Sequence, residues 1–169
     1  IMAGLGRLRK IAFLGGARNE APSIWLGNNG SSQKISTREI DTLLMDYTEE
    51  QLAASVMEAR VFKSHELLYL HLPDQTLVYD GNASQVIQEP IWHTLTSSIV
   101  DLGQYRARSI LWCYDRWLCA DPTSAALGEL VDTVSTHYGE TVGWEFNTPI
   151  IYNESLGAAA GHTGTVLAN

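Results

Sequence analysis

Positive charge is scarce in this sequence: 11 Lys and Arg stand against 19 Asp and Glu, a formal net charge of −8. Nucleic acid and anionic lipid both attract local positive charge, so the balance argues against tight binding to either. The basic cluster Arg7, Arg9 and Lys10 reads as a solvated terminus. Cysteine is nearly missing, and Cys113 and Cys119 fit a reducing compartment better than a disulfide framework. No apolar run approaches the ~20 residues of a membrane-spanning helix. No apolar core before a cleavage site marks a signal peptide. A chain opening Ile1-Met2-Ala3-Gly4 is expected to be an excised or processed fragment.

Catalytic signatures are missing too. Gly4-Leu-Gly6 precedes a strand instead of following one, unlike a dinucleotide loop. Gly161-His-Thr-Gly164 lacks the lysine and spacing of a phosphate loop. No Gly-x-Ser-x-Gly elbow occurs. Cys113 and Cys119 are spaced too widely for a zinc pair and read as core thiols. His65, His71 and His93 show no ligand spacing and read as structural, with His71 and His93 placed to face one another across strands. His162 reads as solvated. Most of Asp74, Asp80, Asp101, Asp115, Asp121 and Asp132 sit at expected turns, where Asp bonds nearby backbone amides, and this reading is preferred to a glycosidase pair. The expectation is a non-enzyme with no cofactor and no metal.

What the chain does have is many short strands divided by Gly, Asn, Asp and Pro. Ile11 to Leu14 and Ser23 to Leu26 are strand-like, and Gly27-Asn-Asn-Gly30 turns toward Gln33 to Ser36. Ser36 or Thr37 caps a short helix whose Ile40, Leu43 and Leu44 form one apolar stripe. A second helical turn spans Glu49 to Ala54. Strands return at 59–62, 66–72, 76–79 and 91–95, with turns at Pro73-Asp74 and Asp80-Gly-Asn82. A further unit covers 106–114, 116–120, 128–131 and 141–152, with a turn at Asp121-Pro122.

Features recur at an interval of 52 residues: Trp92 with Trp144, and Leu77 to Asp80 with Glu129 to Asp132. A ~40–50-residue period of short strands is the signature of propeller blades. The expected fold is therefore mainly β, with β-propeller-like blades of short antiparallel strands and one or two short helices. Residues 1–153 would form about two full blades and part of a third, and 154–169 a loop or loose tail. Three blades cannot close a ring of ~4–8, so a larger propeller is implied. Among five tryptophans, most are expected to pack between blades. Trp112 and Trp117 flank a turn at Tyr114, and this aromatic tip is a candidate partner contact.

The runs Gln33 to Asp41 and His65 to Asp80, then Trp92, then Arg106 to Asp121, resemble the packaged-DNA stabilisation family of short-tailed bacteriophages. Its members are also described as tail accessory or head-completion proteins. The similarity spans 11–153, with Ser64 where the pattern has Gly, Leu77 where it often has Trp, and Pro122 after the retained Asp121. The resemblance implies a structural virion protein of the tail or neck, assembled in the bacterial cytoplasm, that closes the head and retains its DNA. It implies a homo-oligomeric ring or hub beneath the portal-adaptor ring, offering a seat to the tail needle and tailspikes. A glycan-acting propeller enzyme and a kelch-like binding module are the alternative readings, because propellers host many functions.

Overall fold

The computed structural model describes residues 2–5, 10–16, 20–99, 103–147, 151–153, 158–160 and 163–166. Three antiparallel sheets follow one another along the chain. The first contains β1 (Met2–Leu5), β2 (Lys10–Gly15), β3 (Ser23–Asn28) and β4 (Ser31–Lys34) in sequential order. Two short helices follow, α1 (Arg38–Met45) and α2 (Glu49–Ala54). The second sheet is β5 (Val56–Phe62), β6 (His65–His71), β7 (Thr76–Asp80) and, after helix α3 (Gly81–Ile87), β8 (Trp92–Leu95). The third contains β9 (Arg108–Cys113), β10 (Arg116–Ala120) and β11 (Leu127–Glu129). Short pairs complete the described chain: β12 (Thr136–His137) with β13 (Glu140–Thr141), β14 (Trp144–Asn147) with β17 (Thr163–Val166), and β15 (Ile151–Asn153) with β16 (Ala158–Ala160).

β5 lies against β1 on one side and β9 on the other, so the first strands of the three sheets run side by side. The sheets therefore pack face to face in series, and the second is covered twice. Along β6, Leu68 and Leu70 enter a core with Ala12, Ile24, Ile40 and Leu44. The alternate residue Tyr69 enters a second core with Tyr105, Ala107 and Cys119. Both faces being buried explains why the sequence there runs Leu-Leu-Tyr-Leu without polar alternation.

Local chemistry fixes the turns and caps. Thr37 caps α1 by accepting from the Ile40 amide, and Thr48 forms a reciprocal capping box with Gln51. Ser36 instead accepts from the Ile24 amide at 3.0 Å and donates to Asp41 at 2.6 Å, pinning α1 to β3. Hairpins turn on two residues of positive φ at Asn29-Gly30, Lys63-Ser64, Tyr114-Asp115 and Tyr138-Gly139. That geometry matches the twist of the flanking strands.

Four expectations need correcting. β3 continues through Asn28, so the first tight turn is Asn29-Gly30 alone. Asp80-Gly-Asn82 is no simple turn: Asp80 accepts from the Asn82 and Ala83 amides and starts a third helix, α3. An Asp bonding amides two and three residues ahead serves a turn and a helix cap alike, which is why the sequence did not separate them. The 52-residue interval holds for the sheets, with β5 starting at Val56 and β9 at Arg108. Its chosen anchors do not correspond, however. Leu77 and Val78 are buried inside β7, whereas Val131, 46% exposed, lies beyond the end of β11. Trp92 opens the strand that closes the second sheet, but Trp144 opens β14, which pairs with β17. Finally, residues 154–169, read as a loop or loose tail, contain the two short strands β16 and β17.

Candidate partner-contact surface

The β9–β10 hairpin carries the aromatic tip. Its register sets Trp112 directly opposite Trp117 and Cys113 opposite Arg116, leaving Tyr114 and Asp115 as the turn. The two indoles meet edge to face, with centroids 5.3 Å apart and planes at 63°. Cross-strand aromatic pairs of this kind stabilise by roughly 0.5–1.5 kcal/mol beyond their area. Trp117 is half-buried, while Trp112 is 55% and Tyr114 86% exposed.

Tyr114 adopts φ +53, a left-handed conformation that costs a bulky residue energy. Tyr138 does the same at φ +51, but its ring packs in the second core and its hydroxyl meets the Cys119 thiol at 3.5 Å. Tyr114 has no such internal contact among the described residues. A strained, fully presented aromatic at a hairpin tip has the form of an interface anchor.

Beneath the tip, two residues missed by the sequence reading join the cluster. The Arg60 guanidinium carbon lies 5.8 Å from the Trp117 ring and 4.7 Å from the Phe62 ring. Lys63, at the neighbouring hairpin tip, reaches Phe62 at 5.3 Å and bonds Asp132 at 2.8 Å. This lysine holds the Asp132 carboxyl below the usual carboxylate range. Arg60 and Phe62 alternate along β5 with Glu58, a legible face, but nothing in the sequence announced that the β5–β6 and β9–β10 hairpins adjoin.

The other residues singled out from sequence take separate structural roles. His71, 1% exposed, does not face His93 but is held between Thr76 at 3.1 Å and Glu58 at 2.9 Å. Glu58 also accepts from the Ile110 amide at 2.9 Å, joining the second sheet to the third. His65 pairs with Asp80 at 2.6 Å. Cys119 is buried on the face it shares with Trp117, whereas Cys113 lies on the other face of the hairpin, and both thiols are free. Asp121 accepts from Arg106 at 2.6 Å and from Ser124 at 2.7 Å. The Arg106 guanidinium holds that carboxyl well below the usual range, against the opposing effect of burial. Asp74 bonds the Tyr47 hydroxyl, tying the end of α1 to the β6–β7 turn. No group of three or more His, Cys, Asp or Glu side chains able to hold a metal occurs among the described residues. No helix among them is long and apolar enough to cross a membrane. Arg7, Arg9, Asp101 and His162 lie outside the described residues.

Serial antiparallel sheets with adjoining first strands are the arrangement of propeller blades. The family described as bacteriophage P22 Gp10, β-propeller, matches residues 7–135. This chain belongs to that family. It is also 33% identical over 139 residues to the tail hub protein gp10 of Salmonella phage P22, a match covering 82% of this chain. The same match covers 29% of the relative, so the chain corresponds to less than a third of that protein's length. Within the Gp10 family match fall the second and third sheets, the first sheet apart from β1, and the aromatic tip.

Proposed function

We propose that this chain is a structural arc of a phage tail hub, a part of the virion tail that joins other tail proteins and performs no catalysis. The observation that carries the reading is family membership across three successive blade-like sheets, whose β9–β10 tip presents Trp112 and Tyr114 to solvent. In this reading residues 1–153 are propeller and the remaining blades lie in a longer protein. The outward apolar residues Leu111 and Leu127, 50% and 72% exposed on the third sheet, suit the face of a following blade.

In the finished particle the hub would form a ring below the portal and its adaptor, close the head after packaging, and seat the tail needle and tailspikes. Its work is mechanical: packed sheets supply stiffness, and hairpin tips supply partner contacts. The net charge of −8 favours a ring that does not grip the DNA passing it.

The test uses the longer parent protein with DNA-filled heads that carry portal and adaptor. Wild-type protein is expected to co-sediment with the heads and to keep their DNA from leaking into nuclease reach. Trp112→Ser combined with Tyr114→Ser should weaken one partner interaction without unfolding the protein. Failure of the wild type to join any portal-adaptor complex would sink the reading. Duplex DNA should bind weakly and with little salt dependence; tight binding that falls steeply with salt would contradict it.

A further inference from the structure

A cleft of about 400 Å³ opens between the second and third sheets, with the β12–β13 hairpin as one wall. Arg60, Phe62, Tyr105, Leu130, Val134 and Tyr138 line it. Arg60 is 9% exposed, yet no carboxylate pairs with it among the described residues. The acids that could serve are engaged elsewhere. Glu58, two positions earlier on the same face, is held by His71 and the Ile110 amide. Asp132, whose carboxyl senses the Arg60 charge, is held by Lys63. The guanidinium makes one long bond, to the Leu130 carbonyl at 3.4 Å, and the Tyr69 hydroxyl is its other polar neighbour. Its Nε is buried without an acceptor.

A buried cation is tolerated when it is paired and its donors are met. Here aromatic rings cover the guanidinium at 4.7 and 5.8 Å, satisfying its faces and leaving its edge under-used. The edge of an Arg is a fork matched to two oxygens of one oxyanion. The cleft's remaining walls mix aromatic and aliphatic side chains with Thr136, His137 and Glu129. Glu129 is paired with Arg116 at 3.4 Å, and the apolar share of the wall suits a carboxylate carried on an apolar stem better than a fully hydrated inorganic anion.

We propose that this cleft is a seat for a protein carboxylate, an Asp or Glu side chain brought by another polypeptide segment and received edge-on by Arg60. The seat is a matter of local chemistry and stands apart from the tail-hub reading. Arg60 binds; nothing is transformed.

The experiment titrates nitrogen-15-labelled protein at pH 7 and constant ionic strength with N-acetyl-glutamate amide, N-acetyl-glutamine amide or inorganic phosphate. The Arg60 Nε–H and Trp117 indole resonances report binding. Saturable shifts with the glutamate probe and none with glutamine are expected, and Arg60→Lys should weaken binding at least fivefold because it loses the fork. If Arg60→Lys fails to fold, Val134→Glu serves instead, at a rim position 57% exposed. Its own carboxylate should occupy the seat and abolish the titration. The proposal is overturned by no saturation with glutamate, by an equal response to glutamine, or by saturation with phosphate alone. A Val134→Glu protein that titrates like wild type overturns it as well.

Discussion

The Trp92 indole donates its N–H to the Ile35 carbonyl at 2.8 Å, joining the last strand of the second sheet to the segment that leaves the first. The same ring rests on Tyr79 with centroids 5.3 Å apart. One side chain thus reaches the first sheet's exit through a polar contact while packing on its own sheet's β7 through an apolar one. Trp92→Phe keeps a ring against Tyr79 but strips the Ile35 carbonyl of its donor. The loss should be about 1 kcal/mol, read as a lower urea midpoint with an unchanged slope. An unaltered midpoint would show that this bond contributes nothing.

Asp121 ties the β10–β11 turn to the segment before β9 through Arg106. Its folded pKa is depressed, chiefly by Arg106. The pairing is therefore present in full above the unfolded value of about 4 and fades as pH falls through the folded value. Asp121→Asn should lower the thermal midpoint at pH 7, and the gap from wild type should narrow as pH drops below about 4. A gap that stays constant from pH 7 to pH 3 would count against the ion pair as its cause.

The two thiols should separate by reactivity. Cys119 is 3% exposed and burial pushes its thiol pKa up, so little thiolate is available. Cys113 is half-buried on the opposite face of the hairpin. In native protein a disulfide reagent should modify Cys113 well before Cys119, followed by intact-mass measurement. Simultaneous labelling would mean that the second core opens as readily as the hairpin tip.

Tyr114 offers a trade of stability against contact. Asn tolerates the left-handed region far better than Tyr does. Tyr114→Asn should therefore raise stability by about 0.5–1 kcal/mol while weakening attachment of the parent protein to its tail partners. A variant that is no more stable would argue that φ +53 carries no strain here. Undiminished attachment would remove Tyr114 from the contact surface.

Much of the candidate surface could be read along the chain, and its depth could not. Trp112 and Trp117 around a two-residue turn are a local pattern, because strand alternation puts residues flanking such a turn on one face. Arg60 and Phe62 sit about fifty residues earlier, on another hairpin, and reach the tip through sheet-to-sheet packing. The same limit explains the faulty repeat anchors. The interval between sheets is a property of chain length per blade. Which strand occupies the fourth place depends on pairing energies between distant segments, and in the third sheet no fourth strand is present among the described residues.

By itself the sequence determined the short antiparallel strands, a helix cap at Ser36 or Thr37, the net acidity and the spacing of the sheets. All of these follow from contacts within a few residues or from simple counts. Tertiary structure alone decided that β6 is buried on both faces, that His71 bonds Glu58 and Thr76, that Asp80 begins a helix, and that Arg60 lines a cleft with no carboxylate paired to it among the described residues. Each of these depends on which distant surfaces meet. Burial, and with it the cost of an unmet polar group, arises only once the sheets close on one another.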